Sequence, residues 1–254
     1  MRVLFYENDE NPYFSMAFEE SLWRNLKEGK VDNTLRFWRH KNVAIIGYFQ
    51  LAEEELNFDV VRKYKIDVVR RFTGGGAVYQ DMGCLIWTIA VKGPKGGGVN
   101  YLYDFLLKGF VNALKHFANV RVENVNDVVV NDRKVSGTSA TFQEDYYLLH
   151  GTLLINTNLE LMGKVLKVSK AKLSDKGVSE VKYRVTNLVD ALGRKIDTSE
   201  IIDAIIKEYS SLLGEKAYFD LPTTDEIKLA EELYEKKYSK PEWNLLRLPS
   251  SYFE

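Results

Sequence analysis

The sequence contains a single cysteine and only three histidines in its 254 residues. One thiol, at Cys84, excludes an internal disulfide and a zinc site built from cysteines. The histidines, His40, His116 and His150, are widely separated along the chain and include no close pair of metal ligands. We therefore do not expect a metal ion held entirely by protein side chains.

The chain also lacks an excess of charge and a long apolar run. Its 35 basic and 36 acidic residues leave a formal net charge of −1, so no overall field attracts it to nucleic acid or to an anionic membrane. No apolar stretch approaches the about 20 residues that a membrane-spanning helix needs, and residues 1–10 lack the basic-then-apolar order of a signal peptide. We expect a cytoplasmic protein that binds neither nucleic acid nor membranes.

Strand and helix patterns follow one another over the whole length of the chain. Hydrophobic residues make up 45% of the composition, which is enough to fill a sizeable core. Two strand-like stretches, "GAVYQ" and "CLIWTIAV", flank the turn "DMG" and predict a strand pair, whereas helical periodicity dominates the later part of the chain. The patterns predict one domain over residues 1–254, of the α+β or mixed α/β class, with mixed sheets flanked by helices.

The stretch "RRFTGGGAVYQD" places Arg70 and Arg71 just ahead of three consecutive glycines, Gly74 to Gly76. Glycines allow φ > 0 and let a ligand lie directly against the backbone, where N–H groups can converge on an anion. Adjacent strand residues point to opposite faces, so only one arginine lines a given pocket unless the strand twists or ends there. A glycine-rich turn flanked by surface arginines is the alternative. The spacing matches neither of the two common glycine-rich nucleotide motifs.

Two further stretches contain polar residues beside small ones. In "NDVVVNDRKVSGTSA", Asp127 begins an apolar strand and Lys134 follows a hairpin-like turn, next to the small residue Gly137. A lysine there has room to approach a polyphosphate or an acyl group, although a hairpin lysine is also commonly just solvated. In "LHGTLLIN", His150 and Gly151 precede a strand, where a histidine can be either structural or catalytic.

Five stretches together resemble the lipoate–protein ligase A family. "RRFTGGGAVYQD", "NDVVVNDRKVSG", "HGTLLIN", "KGVSEVKYRVTNL" and "YSKPEWN" occur in the order and approximate spacing of that family and cover nearly the whole chain. The pair "ND" followed by a lysine near a glycine is also similar to the biotin–protein ligase core. The resemblance implies that residues 1–254 form a biotin/lipoate protein ligase-like catalytic domain.

The activity that the resemblance implies is a two-step acyl transfer. Lipoate and ATP, the latter accompanied by Mg²⁺, are expected to form lipoyl-AMP, with no permanently bound cofactor. The amine of a lysine on an acceptor then displaces AMP. The acceptor is expected to be the lipoyl domain of a 2-oxoacid dehydrogenase, a glycine-cleavage carrier protein or another lipoylated protein.

The resemblance also implies roles for individual residues. Lys134 is expected to reach both the acyl carbonyl and the phosphate. Asp127 is expected near the adenylate or the metal, and His150 and Gly151 beside the acyl chain. Lys176 is expected to close over the phosphates. The expected adenylate-binding residues are Arg70, Arg71, Gly74, Gly75, Gly76, Ala77, Val78 and Tyr79.

The chain departs from the family pattern in places. The family commonly has His-Asp where this chain has Gln80 and Asp81, and asparagine where it has Cys84. Neither change removes a cation, so we expect altered packing or ligand contact before loss of activity. Well-known single-chain ligases continue into a small accessory domain, which some relatives supply as a separate polypeptide. We therefore expect a separate accessory subunit that adenylation requires.

Three other functions compete with this interpretation. An octanoyl transferase moves an acyl group from a carrier protein through a cysteine thioester, and its nucleophile would have to be Cys84. A non-catalytic protein with this fold would capture lipoate or a lipoyl domain without turnover. A biotin ligase is the third alternative, although biotin ligases usually carry a different adenylate loop.

Overall fold

The computed structural model describes residues 1–6, 10–167 and 185–253. The strands are β1 (Arg2–Phe5), β2 (Thr34–Trp38), β3 (Asn42–Ile46), β4 (Asp67–Arg70), β5 (Val78–Asp81), β6 (Cys84–Lys92), β7 (Val120–Glu123), β8 (Asp127–Val130), β9 (Arg133–Gln143), β10 (Tyr146–Leu154) and β11 (Tyr218–Asp220). The helices are α1 (Pro12–Lys27), α2 (Ala52–Glu55), α3 (Phe58–Lys63), α4 (Gly98–Asn100), α5 (Leu107–Lys115), α6 (Leu159–Val165), α7 (Leu188–Leu192), α8 (Thr198–Leu213), α9 (Thr224–Leu233) and α10 (Pro241–Leu246). Two π-helical stretches, Tyr101–Leu106 and Tyr234–Tyr238, and a 3₁₀ turn, Ser250–Phe253, complete the described elements.

The strands form a large and a small sheet. The large sheet has eight strands in the order β11-β1-β2-β6-β10-β9-β8-β7, and the small sheet has three in the order β4-β3-β5. Strands β11, β1 and β2 run parallel, as do β3 and β4, whereas the other pairs are antiparallel. Helices flank both sheets, so the expected mixed α/β class is confirmed.

The predicted pairing of "GAVYQ" with "CLIWTIAV" is wrong. Strand β5 pairs with β3 in the small sheet, whereas β6 pairs with β2 and β10 in the large one. The turn between them packs tightly against the end of β10, because a Cβ on Gly83 would lie 2.1 Å from the Asn156 carbonyl oxygen. The Gly83 carbonyl also accepts hydrogen bonds from the amides of Ile155 and Asn156. The turn therefore passes the chain from one sheet to the other.

The two faces of the large sheet bury different partners. One face packs against α5 and α8, where Trp87 stacks on Phe110 and contacts Tyr209. The other face is covered by α1 and the small sheet, with Cys84 of β6 packing near Ile46 of β3. Across the described ranges, no helix combines the length and the apolar character needed to cross a membrane.

The site described below lies on the face that α1 and the small sheet cover. His150 of β10 is directly opposite Thr88 of β6 on one side and Ser139 of β9 on the other. Directly opposed residues in a sheet project to the same face. These three residues, and Gly137 two positions before Ser139, therefore share one surface.

Candidate active site

The segment Thr73–Ala77, here called the glycine loop, lies between β4 and β5. Nearby side chains donate hydrogen bonds to two of its carbonyl groups. The Arg71 guanidinium donates to the Gly74 oxygen, with Nε at 3.0 Å and Nη2 at 2.5 Å, and Nη2 also donates to the Gly76 oxygen at 2.9 Å. Ser139 Oγ donates a further bond to the Gly74 oxygen at 2.8 Å. Gly75 has φ +86°, a conformation that glycine adopts without strain.

The amide groups of the glycine loop are available to a ligand. Within the described chain, the N–H groups of Gly74, Gly75, Gly76 and Ala77 donate to no protein acceptor. Gly75 and Gly76 are also exposed. Consecutive free amides on a loop whose Gly74 and Gly76 carbonyls are already bonded are the kind of donors that bind phosphate or carboxylate oxygens. The loop therefore offers several donors to an anion.

Arg71 adds an unneutralised positive charge beneath this surface. Its side chain is buried, and no carboxylate of the described chain forms an ion pair with it. Burial lowers the pKa of Arg71 to about 10, so the guanidinium stays protonated near neutral pH. A buried cation without an acidic partner favours an anion nearby, because the anion offsets the loss of hydration.

Arg70 has a different environment from its neighbour. It is the last residue of β4, is fully buried, and donates to main-chain carbonyls of the turn at residues 47–50 and of α10. The structure does not bring its side chain to the exposed side of the glycine loop. Of the two arginines, only Arg71 lies against the loop.

Lys134 and Asp127 form an ion pair on the same surface as the glycine loop. Lys134 Nζ lies 2.5 Å from Asp127 Oδ1, and the two side chains are 35% and 21% exposed. The ammonium group packs against the backbone of Gly137, because a Cβ added there would lie 2.7 Å from Lys134 Nζ. Ser139, which contacts Gly74, is two residues further along the same face. The ammonium group and the glycine loop therefore flank Gly137.

His150 connects the glycine loop to a buried charge network. Its Nε2 lies 2.8 Å from Thr73 Oγ1 and its Nδ1 lies 3.3 Å from Glu19 Oε1. Glu19 in turn pairs with Arg36 at 2.7 Å and accepts a hydrogen bond from Thr88. Burial alone would raise the pKa of Glu19, but the bonds from His150, Arg36 and Thr88 hold it below its ordinary value. Glu19 is therefore a carboxylate that orients the imidazole.

Acidification is expected to destabilise the fold through His150. Burial lowers the pKa of His150 below its ordinary 6.5, even though Glu19 favours the protonated ring. The unfolded chain takes up this proton as the pH falls through 6.5, while the folded chain does so only at lower pH. The free energy of unfolding should therefore decrease below that pH, as measured by urea denaturation over a pH series. A His150→Gln variant with an equally steep decrease would assign the effect to another group.

Several predicted residues lie away from this surface. Gly151 faces the opposite side of the sheet, where an added Cβ would lie 3.0 Å from the Trp87 ring. Val78 and Tyr79 already belong to β5, and the Tyr79 hydroxyl donates to Asn42 at 3.0 Å. Burial raises the pKa of Tyr79 to about 12. Lys176 lies outside the described residues.

Four residues of the site were not singled out from the sequence. Thr73 and Ser139 have common side chains in polar stretches and gave no distinguishing signal. Glu19 falls three residues after Met16 and four before Trp23, which places an acid on the apolar stripe of α1. Such an acid needs a buried partner. The residues that sequence analysis missed are Glu19, Arg36, Thr73 and Ser139.

The two departures from the expected pattern are buried near the same face. Gln80 Oε1 lies 2.7 Å from His40 Nδ1 and accepts its hydrogen bond. Cys84 is buried, and this burial raises the pKa of its thiol. Gln80 therefore contacts a histidine supplied from another part of the chain, and Cys84 takes a packing position.

Free loop amides above a buried guanidinium, with an ammonium–carboxylate pair on the same surface, are typical of proteins that bind phosphate- or carboxylate-containing ligands. Comparison with known proteins makes this class more specific. The family "Lipoyl protein ligase A/B catalytic domain" matches residues 11–210. The chain belongs to this family, and the expected resemblance is confirmed.

Individual relatives match along nearly the whole chain. "Lipoate-protein ligase A subunit 1" of Thermoplasma acidophilum is 33% identical over 255 residues, covering 96% of each chain. "Lipoate--protein ligase 1" of Staphylococcus aureus is 30% identical over 256 residues, covering all of this chain and 76% of the relative. This chain is therefore similar to proteins of one enzyme class throughout its length.

Solved structures agree with these relatives. A bi-partite lipoate protein ligase from T. acidophilum, studied with its E2 lipoyl domain, has a TM-score of 0.87 at 32% identity and covers 98% of this chain and 97% of its own. A lipoate-protein ligase A bound with ATP has a TM-score of 0.86 at 31% identity, with coverage of 97% and 99%. A T. acidophilum protein with bound lipoic acid has a TM-score of 0.84 at 30% identity, with coverage of 96% and 98%.

Proposed function

We propose that this chain is the catalytic subunit of a lipoate–protein ligase, which activates lipoate with ATP and transfers the lipoyl group to a lysine of an acceptor lipoyl domain. The observation that carries the proposal is the set of free amides at Gly74–Ala77, which lie over the buried charge of Arg71 and on the same surface as Lys134. Structures similar to this chain contain ATP or lipoic acid. An acyl-adenylate carries the phosphate and carbonyl oxygens that such a surface can bind.

In the first step, a carboxylate oxygen of lipoate attacks the α-phosphorus of ATP, and the bond to the pyrophosphate oxygen breaks. Negative charge collects on the phosphate oxygens as lipoyl-AMP forms. The loop amides offset this charge by donating to the phosphate oxygens, and Arg71 supports them by binding the loop carbonyls. The Lys134 ammonium group offsets the charge by direct contact. Mg²⁺ enters with ATP as part of the co-substrate, held mainly by phosphate oxygens.

In the second step, the neutral amine of the acceptor lysine attacks the lipoyl carbonyl carbon. The bond to the AMP oxygen breaks, AMP leaves, and the attacking nitrogen loses a proton as the amide forms. Lys134 Nζ stabilises the oxyanion that develops on the carbonyl, provided that its bond to Asp127 is shared with the ligand. Asp127 keeps the ammonium group in place between the two steps.

The remaining predicted residues take supporting positions in this proposal. His150, fixed by Thr73 and Glu19, lies beside the loop on the side where the acyl chain would run. Lys176 is assigned to closure over the phosphates on the family resemblance alone. The whole chain, residues 1–254, acts as one catalytic domain, and it uses no permanently bound cofactor.

A separate polypeptide is proposed to complete the enzyme. The T. acidophilum relative that covers nearly the same length is named as a subunit, and a similar structure is described as a bi-partite ligase with its E2 lipoyl domain. By this comparison, the present chain would bind the acceptor lipoyl domain and work with an accessory subunit in the cytoplasm.

The proposal is tested by incubating the purified chain with lipoate, Mg·ATP and a lipoyl domain, with and without a candidate accessory chain. Mass spectrometry should detect lipoyl-AMP and a lipoyl mass increase on one lysine of the acceptor. Full activity without the accessory chain would contradict the subunit requirement. Unchanged lipoate in every mixture, together with transfer from an octanoylated carrier, would contradict the ligase assignment.

Replacement of Cys84 by serine is expected to leave acyl transfer within about twofold of wild type. A thioester route needs an accessible thiolate, whereas this thiol is buried and its pKa is raised by that burial. Transfer from octanoylated carrier and from lipoate with ATP should both be measured. Loss of transfer in a variant that keeps its melting temperature would support the octanoyl transferase alternative instead.

A further inference from the structure

We propose that Arg70, Trp243 and Asn244 form a positioning unit, here called the C-terminal clasp, which holds the glycine loop in its anion-binding shape. This inference rests on the proposed function for its catalytic consequence. It assigns a role in the reaction to the segment "PEWN" of α10, whose residues lie outside the site surface. It also gives a role to a second arginine whose side chain is buried and bonded to main-chain carbonyls.

Four hydrogen bonds join α10 to the end of β4, the longest from Arg70 Nη2 to the Asn244 carbonyl at 3.5 Å. The Arg70 amide donates to Asn244 Oδ1 at 3.0 Å, and Arg70 Nε donates to the Trp243 carbonyl at 2.8 Å. In the reverse direction, Trp243 Nε1 donates to the Arg70 carbonyl at 2.9 Å. Trp243 and Asn244 are themselves buried, and Asn244 Nδ2 donates to the carbonyls of Tyr238 and Lys240. The amide, the carbonyl and the side chain of the last residue of β4 are therefore all hydrogen-bonded to α10.

The other end of the Arg70 side chain holds the turn at residues 47–50. Nη1 donates to the carbonyls of Gly47 at 3.0 Å, Tyr48 at 3.0 Å and Gln50 at 2.7 Å. Nε donates to α10 while Nη1 donates to the turn, so one planar guanidinium bridges the two segments from separate nitrogens, which the single nitrogen of a lysine cannot do. Burial lowers the pKa of Arg70 to about 10, which still leaves it charged near neutral pH.

This turn touches the glycine loop directly. The Tyr48 amide donates to the Thr73 carbonyl at 2.9 Å. Gly47 lies so close to the loop that a Cβ on it would be 2.0 Å from the Gly75 carbonyl oxygen. A shift of the turn would therefore displace Gly75. The path from α10 to the glycine loop runs through Arg70 and the turn at residues 47–50.

Trp243→Phe tests the clasp because it removes the Nε1 donor and keeps most of the ring packing against Tyr48 and Tyr238. The KM for ATP is expected to rise about five- to tenfold, the effect of one lost buried hydrogen bond, with a smaller change in kcat. In the enzyme without ligands, hydrogen exchange of the Tyr48 amide, which donates to the Thr73 carbonyl of the glycine loop, should become about tenfold faster. Exchange of the β6–β10 amides should stay unchanged.

Tyr238→Phe is the matched control from the same segment. It removes the hydroxyl that donates to Glu20 at 2.6 Å and leaves the bonds to Arg70 intact. This variant is expected to lower the melting temperature while leaving the KM for ATP and the Tyr48 exchange rate at wild-type values. Equal effects of the two variants, scaled to their melting temperatures, would overturn the clasp and indicate a general loss of stability.

Arg70→Lys removes more of the bonds of the clasp and should therefore have a larger effect on the same two measurements. If this variant does not fold, Trp243→Phe decides the test. The exchange measurement needs no substrate, so it separates the two proposals. Unchanged Tyr48 exchange in Trp243→Phe would overturn the clasp even if the ligase assignment is right. Faster exchange in a protein without ligase activity would support the clasp and contradict the proposed function.

Discussion

Replacement of Lys134 by methionine is expected to slow lipoyl-AMP formation and acyl transfer by about 10²–10³-fold, the usual effect of removing one well-placed donor to a developing negative charge. Methionine keeps most of the aliphatic length and removes only the ammonium group. The loss should appear mainly in kcat, because the charge that Lys134 offsets develops during attack. Quenched-flow detection of lipoyl-AMP and mass analysis of the acceptor measure the two steps separately.

Two comparisons make the Lys134 result interpretable. Lys92→Met removes another lysine that faces a carboxylate, Asp145 at 3.7 Å, but that lysine is 61% exposed. It should keep wild-type activity. Asp127→Asn should cost much less than Lys134→Met, because the ammonium group remains. Full activity in Lys134→Met would remove Lys134 from the mechanism, and a wild-type protein that binds lipoate without any turnover would support the non-catalytic alternative.

The second large effect is expected from Gly75→Ala. Alanine at φ +86° is strained, and its Cβ would lie 2.8 Å from Arg71 Nη2, the atom that holds the Gly74 and Gly76 carbonyls. The loop must shift to relieve this contact, and its free amides shift with it. A displacement of about 1 Å in a positioning group can cost about 10²-fold in rate. We expect kcat/KM for ATP to fall by about that factor.

Gly96→Ala is the matched control for Gly75→Ala. Gly96 has φ +76° and an added Cβ would meet nothing within 4 Å, so the backbone strain is similar and the steric contact is absent. Backbone strain should cost both variants about 1–2 kcal/mol of unfolding free energy, and the contact with Arg71 should add to this cost in Gly75→Ala. Only Gly75→Ala should lose activity. Comparable activity in the two variants at equal stability would show that the shape of the glycine loop is not needed for catalysis.

The family and the chemical character of the site were predictable because they depend on residue types in sequence order. The expected enzyme class and mixed α/β fold are confirmed. The expected strand pair after the glycines was wrong, since a period of two shows that a segment is a strand and says nothing about its partner. Strand β5 pairs with β3 instead, with Ala44 opposite Tyr79 and Ile45 opposite Val78.

The two arginines show most clearly what depends on the local sequence and what depends on tertiary structure. The sequence by itself predicted that a glycine-rich loop with adjacent positive charge would follow a strand, and that only one arginine would line a given pocket unless the strand twisted or ended there. Only the tertiary structure decided that Arg71 lies under the loop while Arg70 binds carbonyls from α10 and the turn at residues 47–50. The Trp243 carbonyl lies 173 residues from Arg70 along the chain. Local periodicity determines the face of the strand from which each side chain projects, but long-range packing determines which groups that side chain contacts.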